Sequence, residues 1–204
     1  MKKLLTILII AVSGLVSFKA DNAGYKIGDV AADFKLKNID GKIISLANYK
    51  SAKGFIVVFT CNHCPYAKAY EKRIMDLDKM YAQKGYPVIA ISPNDPVSEP
   101  QDSFENMKKL AAEKKYSFPY TLDETQNVTL TYGAKATPHV YVLQKTAKGN
   151  VVQYIGAIDN DTEGTDASRT KYVESAVNAL LSGKTVTTTS TKAIGCAIKW
   201  KKRV

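Results

Sequence analysis

Cysteine and histidine are both scarce in this chain of 204 residues: Cys61, Cys64 and Cys196 are the three cysteines, His63 and His139 the two histidines. Three is an odd number, so at least one thiol has no intrachain partner, and a scaffold of structural disulfides is excluded. A zinc site wants four ligands. The candidates are Cys61, Cys64, His63, His139 and Cys196, with no second Cys-x-x-Cys, so neither a metal nor a cofactor is expected. There is no internal repeat. No run of eighteen apolar residues is present either, which speaks against a membrane-spanning helix.

What is present is a globular composition, 45% hydrophobic and 24% charged, enough for one domain with a sizeable core. Met1-Lys2-Lys3 followed by the apolar stretch Leu4 to Val16 has the layout of a secretory signal peptide, ending near Ser17 or Ala20. Residues 1–20 are therefore read as a signal for export to the periplasm or beyond. The alternative, a short uncleaved anchor, fits less well because the stretch is shorter than the ~20 residues of a span. No cysteine near the cleavage region invites lipid attachment. The net charge is +10, or +7 without residues 1–20, which hold three lysines and no acid. The lysines are spread along helical stretches, which indicates a solvated surface rather than a nucleic-acid footprint.

Residues 21–182 read as one α/β domain. A lead-in hairpin over 29–50 turns at Asp40-Gly41. Phe55 to Phe59 is a continuous apolar run, as in a strand buried on both faces. A helix follows, with Tyr70, Ile74, Leu77 and Tyr81 on one face and Gly85 closing it, and then the strand Pro87 to Ile91. Ser103 to Lys114 reads as a helical insertion, Tyr120 to Asp123 as a short strand and Asn127 to Tyr132 as a short helix. Val140 to Leu143 and Val151 to Ile155 are expected to pair antiparallel around Lys148-Gly149-Asn150. Val173 to Leu181 is a last amphipathic helix. Residues 183–204 form a flexible, threonine-rich tail that carries Cys196. The order predicts a central mixed sheet flanked by helices.

The chemistry is expected at Cys61-Asn62-His63-Cys64. A Cys-x-x-Cys between a buried strand and a helix lets two sulfurs approach across one helical turn. The unpaired N–H groups of the helix start favour the thiolate, the species that attacks disulfides or peroxides. His63 adds electrostatic tuning of a neighbouring thiolate, while His139 reads as an ordinary packed residue. Thr137-Pro138 stands at a strand start, where an X-Pro bond can be cis and a missing donor does no harm. Pro65 bears on which sulfur is the stronger thiolate. Proline suits the first helical position, which makes Cys64 the cap nearest the dipole. A helix capped by Cys61 would instead put Pro65 at the fourth position, crowding the Cys61 carbonyl.

These residues together resemble the thioredoxin superfamily, and more closely a peroxiredoxin-like branch of the redoxin (AhpC/TSA-related) group. The resemblance runs from about Gly28 to Trp200. It is carried by Ala32-Asp33-Phe34-Lys35-Leu36, by Phe59 to Tyr66 with the cysteine motif, by Ser92-Pro93-Asn94-Asp95, by Tyr132-Gly133-Ala134 with Thr137-Pro138, and by Gly195-Cys196-Ala197-Ile198-Lys199-Trp200. It implies a thioredoxin-like fold in which the cis-proline loop packs against both sulfurs and guides the substrate strand, and in which the first cysteine is exposed and the second shielded.

Two departures matter. Peroxiredoxins place Thr or Ser three positions before the peroxidatic cysteine, where Cys61 stands relative to Cys64. Neither Arg73 nor Arg169 sits where that family's arginine does.

The leading expectation is an exported thiol–disulfide oxidoreductase in which Cys61 attacks, Cys64 resolves, His63 tunes, and Thr137 and Pro138 position a thiol- or disulfide-bearing protein. A separate redox partner would supply or accept electrons. The alternatives are a thiol peroxidase with Cys64 peroxidatic, and a non-catalytic redoxin-fold binding or redox-sensing module. Cys196 is either a free packed residue or a third redox cysteine whose tail folds back. Neither nucleic acid nor, after signal removal, a membrane span is expected among its contacts.

Overall fold

The computed structural model describes residues 24–202, so the expected signal peptide lies outside the described residues. In chain order the elements are β1 (Val30–Ala31), β2 (Leu36–Asn38), β3 (Ile43–Ile44), β4 (Gly54–Phe59), α1 (Pro65–Tyr81), β5 (Val88–Ser92), α2 (Phe104–Lys114), β6 (Tyr120–Leu122), α3 (Asn127–Tyr132), β7 (Ala136–Thr137), β8 (His139–Thr146), β9 (Gly149–Gly156), α4 (Tyr172–Leu181) and β10 (Cys196–Ala197). Eight strands form one mixed sheet in the order β1-β9-β8-β4-β5-β6-β2-β3, and β10 pairs with β7 separately. β4, β5 and β6 run parallel, as the intervening helices require. Both flanks are antiparallel. This is the expected α/β architecture with its lead-in hairpin and helical insertion.

The central strand β4 shows why a run without polar residues was needed. Phe55, Val57 and Phe59 face one core, with Ile89, Ile91, Tyr132, Tyr141 and Leu143. Ile56 and Val58 face the other, with Tyr70, Ile74 and Leu77 of α1 and Val173, Ala176 and Val177 of α4. With period-two alternation between two covered faces, every side chain in the strand is buried. α1 begins at Pro65, ends at Tyr81 and passes into a single tight turn that Gly85 closes with φ 95°, a conformation open to glycine.

Two boundaries differ from the sequence reading. β8 and β9 are each eight residues long and turn at Ala147-Lys148, one residue earlier than expected, with a register irregularity at Val142/Leu143. The tail is not loose. Ile155 bridges to Ser190, and the Thr191 hydroxyl lies 2.7 Å from the Tyr154 hydroxyl and accepts from the Ala157 amide at 3.0 Å. Ile198 is buried in the core beneath β4. The threonines and serines that suggested a free tail supply the polar contacts that dock it.

Candidate active site

β4 delivers the redox loop to the N-terminus of α1. Cys64 is the N-cap residue and Pro65 the first helical residue, as the proline chemistry predicted. The first helical bond, Lys68 N to Cys64 O at 3.0 Å, therefore forms without a clash. The Thr137–Pro138 peptide is cis and lies against both sulfurs of the motif. Cys61 Sγ is 3.1 Å from the Thr137 hydroxyl, and Cys64 Sγ is 3.2 Å from the Thr137 carbonyl oxygen.

The bonding of the sulfurs differs from the expected Cys61–Cys64 pair. Cys64 is joined to Cys196 in a disulfide with Cα atoms 6.1 Å apart, and Cys61 is left as a free, buried thiol. Of the two readings of Cys196, the structure shows the folded-back tail. The expectation that Cys61 is the exposed sulfur is also corrected: it is 5% exposed, and Cys64 is fully covered. Burial, and then the charge of Asp102, push the Cys61 thiol up to about 11, against the hydrogen bonds of the Thr137 hydroxyl and of the Cys64 and His63 amides. At neutral pH Cys61 is a protonated thiol.

Asp102 is the residue that sequence reasoning missed. It is fully buried just before α2. Its Oδ1 accepts from the amides of Asn62 (2.8 Å) and His63 (3.1 Å), and its Oδ2 accepts from Asn94 Nδ2 (2.7 Å) and lies 2.6 Å from His63 Nδ1. The other ring nitrogen of His63 lies 3.5 Å from Glu99. Tyr120 donates to Asn62 Oδ1 at 2.9 Å. The two central residues of the motif are thus clamped from outside the motif, which fixes where the sulfurs stand. Cys61, His63 and Asp102 place their polar atoms within 4.8 Å of one another. His63 Nδ1 and Asp102 are already at hydrogen-bond distance, so this cluster is a bonded network rather than a set of open metal ligands.

His139 takes the bland role expected of it. It opens β8 beside Phe59, its Nδ1 accepts from the Lys135 amide at 3.3 Å, and burial, then the charge of Lys135, lowers it to about 4. Arg73 and Arg169 both bind Asp159, at 2.7 and 3.2 Å, and tie α1 to the segment before α4. Both are committed to that carboxylate rather than to the cysteines.

The AhpC/TSA family profile matches residues 27–154, from the lead-in strands through the cysteine motif and the cis-proline to β9. The chain belongs to the AhpC/TSA family. A solved structure of an uncharacterized conserved protein from Geobacillus kaustophilus superposes with a TM-score of 0.80 at 36% identity, covering 88% of this chain and 94% of that one. The thiol-disulfide oxidoreductase ResA of Geobacillus thermodenitrificans is 24% identical over 151 residues, 72% of this chain and 82% of that protein. The chloroplastic peroxiredoxin Q of Triticum aestivum is 31% identical over 137 residues, 63% of this chain and 57% of that protein. This AhpC/TSA member is an oxidoreductase with a thioredoxin-like fold.

Proposed function

We propose that this AhpC/TSA protein is an exported thiol–disulfide oxidoreductase that works through Cys61, Cys64 and Cys196. The observation that carries the reading is the meeting of three sulfurs at the Thr137–Pro138 loop, one pair bonded and the third a thiol beside it. That is the composition of a site built for exchange, since a thiolate attacking a disulfide needs a bonded sulfur within reach. Cys64 has the helix N-terminus and takes the bond to a partner once Cys196 is released, while Cys61, whose thiol burial pushes up to about 11, resolves it. This exchanges the roles expected of the two cysteines. His63, held by Asp102, tunes the loop, and Thr137 and Pro138 position the incoming strand. Export rests on the basic and apolar layout of residues 1–20.

A second reading, thiol peroxidase, is favoured by the capping position of Cys64. Against it stand Cys61 in the place of the peroxidase threonine and the engagement of both arginines with Asp159. Insulin-disulfide reduction and peroxide consumption by the purified protein separate the two. The expected result is accelerated insulin reduction in the presence of dithiothreitol, abolished by Cys64→Ser, with peroxide consumed no faster than by free thiol. Rapid peroxide turnover without insulin reduction reverses the assignment.

A further inference from the structure

The groove beside the cis-proline is already full. β10 lies antiparallel on β7, with Cys196 opposite Thr137 and Ala197 opposite Ala136. Past that pair the tail backbone stays gripped. The Lys199 amide donates to Asn94 Oδ1 at 2.9 Å. The Lys199 carbonyl accepts from the Asp95 amide at 2.9 Å and from Gln126 Nε2 at 2.8 Å. The Lys201 amide donates to Gln126 Oε1 at 2.8 Å. All of these bonds address backbone, so any extended segment in the same register can make them.

Shape selects at three positions. A Cβ at Gly195 would overlap the Thr137 carbonyl group. Cys196 meets Cys64. Ile198 is buried with Phe34, Phe59 and Tyr132. Ala197 and Lys199 face solvent. Asn94, which holds the tail, also donates to Asp102, which holds the redox loop, so groove and sulfurs share one scaffold.

We propose that residues 195–201 are a resident substrate strand, and that the groove they occupy is the docking site for a protein dithiol presenting an extended Gly-Cys-x-aliphatic segment. The proposal rests on the thiol–disulfide reading above. Exchange empties the groove. Cys61 loses its proton and its thiolate attacks Cys64 Sγ. The Cys64–Cys196 bond breaks as the Cys61–Cys64 bond forms, and Cys196 leaves as a thiolate that takes up a proton, with no net gain or loss of electrons. A substrate thiolate then attacks Cys64, expels the Cys61 thiolate and takes the place of Cys196. The second substrate thiolate closes the substrate's own disulfide and releases Cys64. The substrate loses two electrons, and the Cys61 and Cys64 thiols of the enzyme hold them.

The full chain carrying Cys61→Ser and Cys196→Ser keeps Cys64 as its one thiol. It is mixed with the peptide Ala-Ile-Gly-Cys-Ala-Ile-Lys-Trp, activated as a thionitrobenzoate disulfide, and with the same peptide bearing Val in place of Gly. Oxidised glutathione serves as a probe that does not dock. The glycine peptide should react at least about tenfold faster, the size of a clash of one side chain. Equal rates for the two peptides, with glutathione disulfide still reactive, overturn the docking site and leave the function intact. No reaction with any of the three overturns both. A parallel measurement uses the unaltered oxidised chain and free peptide thiols. Peptide mapping should find the glycine peptide on Cys64, with Cys196 released. Capture of both peptides alike contradicts the proposal.

Discussion

Two antiparallel pairings meet at the Thr137–Pro138 loop, and they are built for opposite ends. β8 and β9, each eight residues long, pair at seven positions, with Val140, Val142, Leu143, Val152 and Tyr154 fully buried in the two cores. β7 and β10 pair over two residues, and residues 195–201 hang on that pairing, one disulfide, one buried isoleucine and backbone bonds to Asn94, Asp95 and Gln126, while residues 189–191 upstream stay tied to Tyr154, Ile155 and Ala157. The hairpin cannot open without taking both cores with it. Residues 195–201 can detach as a local unit once Cys196 is freed. In this chain the redox state therefore governs a piece of structure rather than the whole fold.

The sharpest way to break this contrast is to weaken the hairpin. Leu143→Ala deletes a fully buried side chain and should cost about 2–5 kcal/mol of global stability, in oxidised and reduced protein alike. Denaturant unfolding under both conditions reads it. Cys196→Ser should behave differently. The lost cross-link spans 132 residues, and its removal should cost about 2–4 kcal/mol relative to oxidised wild type, but little relative to reduced wild type. A Cys196→Ser cost that persists in reductant would mean the tail is part of the cooperative core.

Acid should act on the hairpin side through His139. Burial lowers it from 6.5 to about 4, so as pH falls the unfolded chain takes up a proton before the folded one. Stability from this group is intact above pH 6.5 and drains between pH 6.5 and 4, by at most about 3 kcal/mol. A His139→Asn variant should lose that part of the pH slope. An unchanged slope would place the acid sensitivity in the carboxylates instead.

Much of the hairpin side was legible in the sequence because its signals are local. Phe55 to Phe59 is apolar without interruption, and Pro65 favoured a helix start capped by Cys64 over one capped by Cys61. The tail side was not, for two physical reasons. Threonine-rich stretches have no apolar period, so only the open alternative of a Cys196 tail that folds back pointed to docking within residues 183–202, although Ile198 is buried. The residues that hold the site also act across long separations: Asp102 reaches Asn62 from 40 positions away, and Asn94 reaches Lys199 from 105. The segment Ser92-Pro93-Asn94-Asp95 was visible as part of a family resemblance, but no pattern within it revealed that its side chains would grip a strand. The partner of Cys64 was hidden for the same reason. Spacing favoured Cys61, and only the fold brings Cys196 across the cis-proline.

The central claim, that the tail is a detachable occupant of the cis-proline groove, can be followed with the chain's own reporter. Trp200 is its one tryptophan and is 42% exposed beside the gripped Lys199 and Lys201 backbone. Its fluorescence anisotropy, recorded while a dithiol reduces the Cys64–Cys196 bond, should drop as the tail lifts away. It should recover when that bond is re-formed. An anisotropy that stays constant, with Cys64 and Cys196 both shown by alkylation to be thiols, would contradict the account.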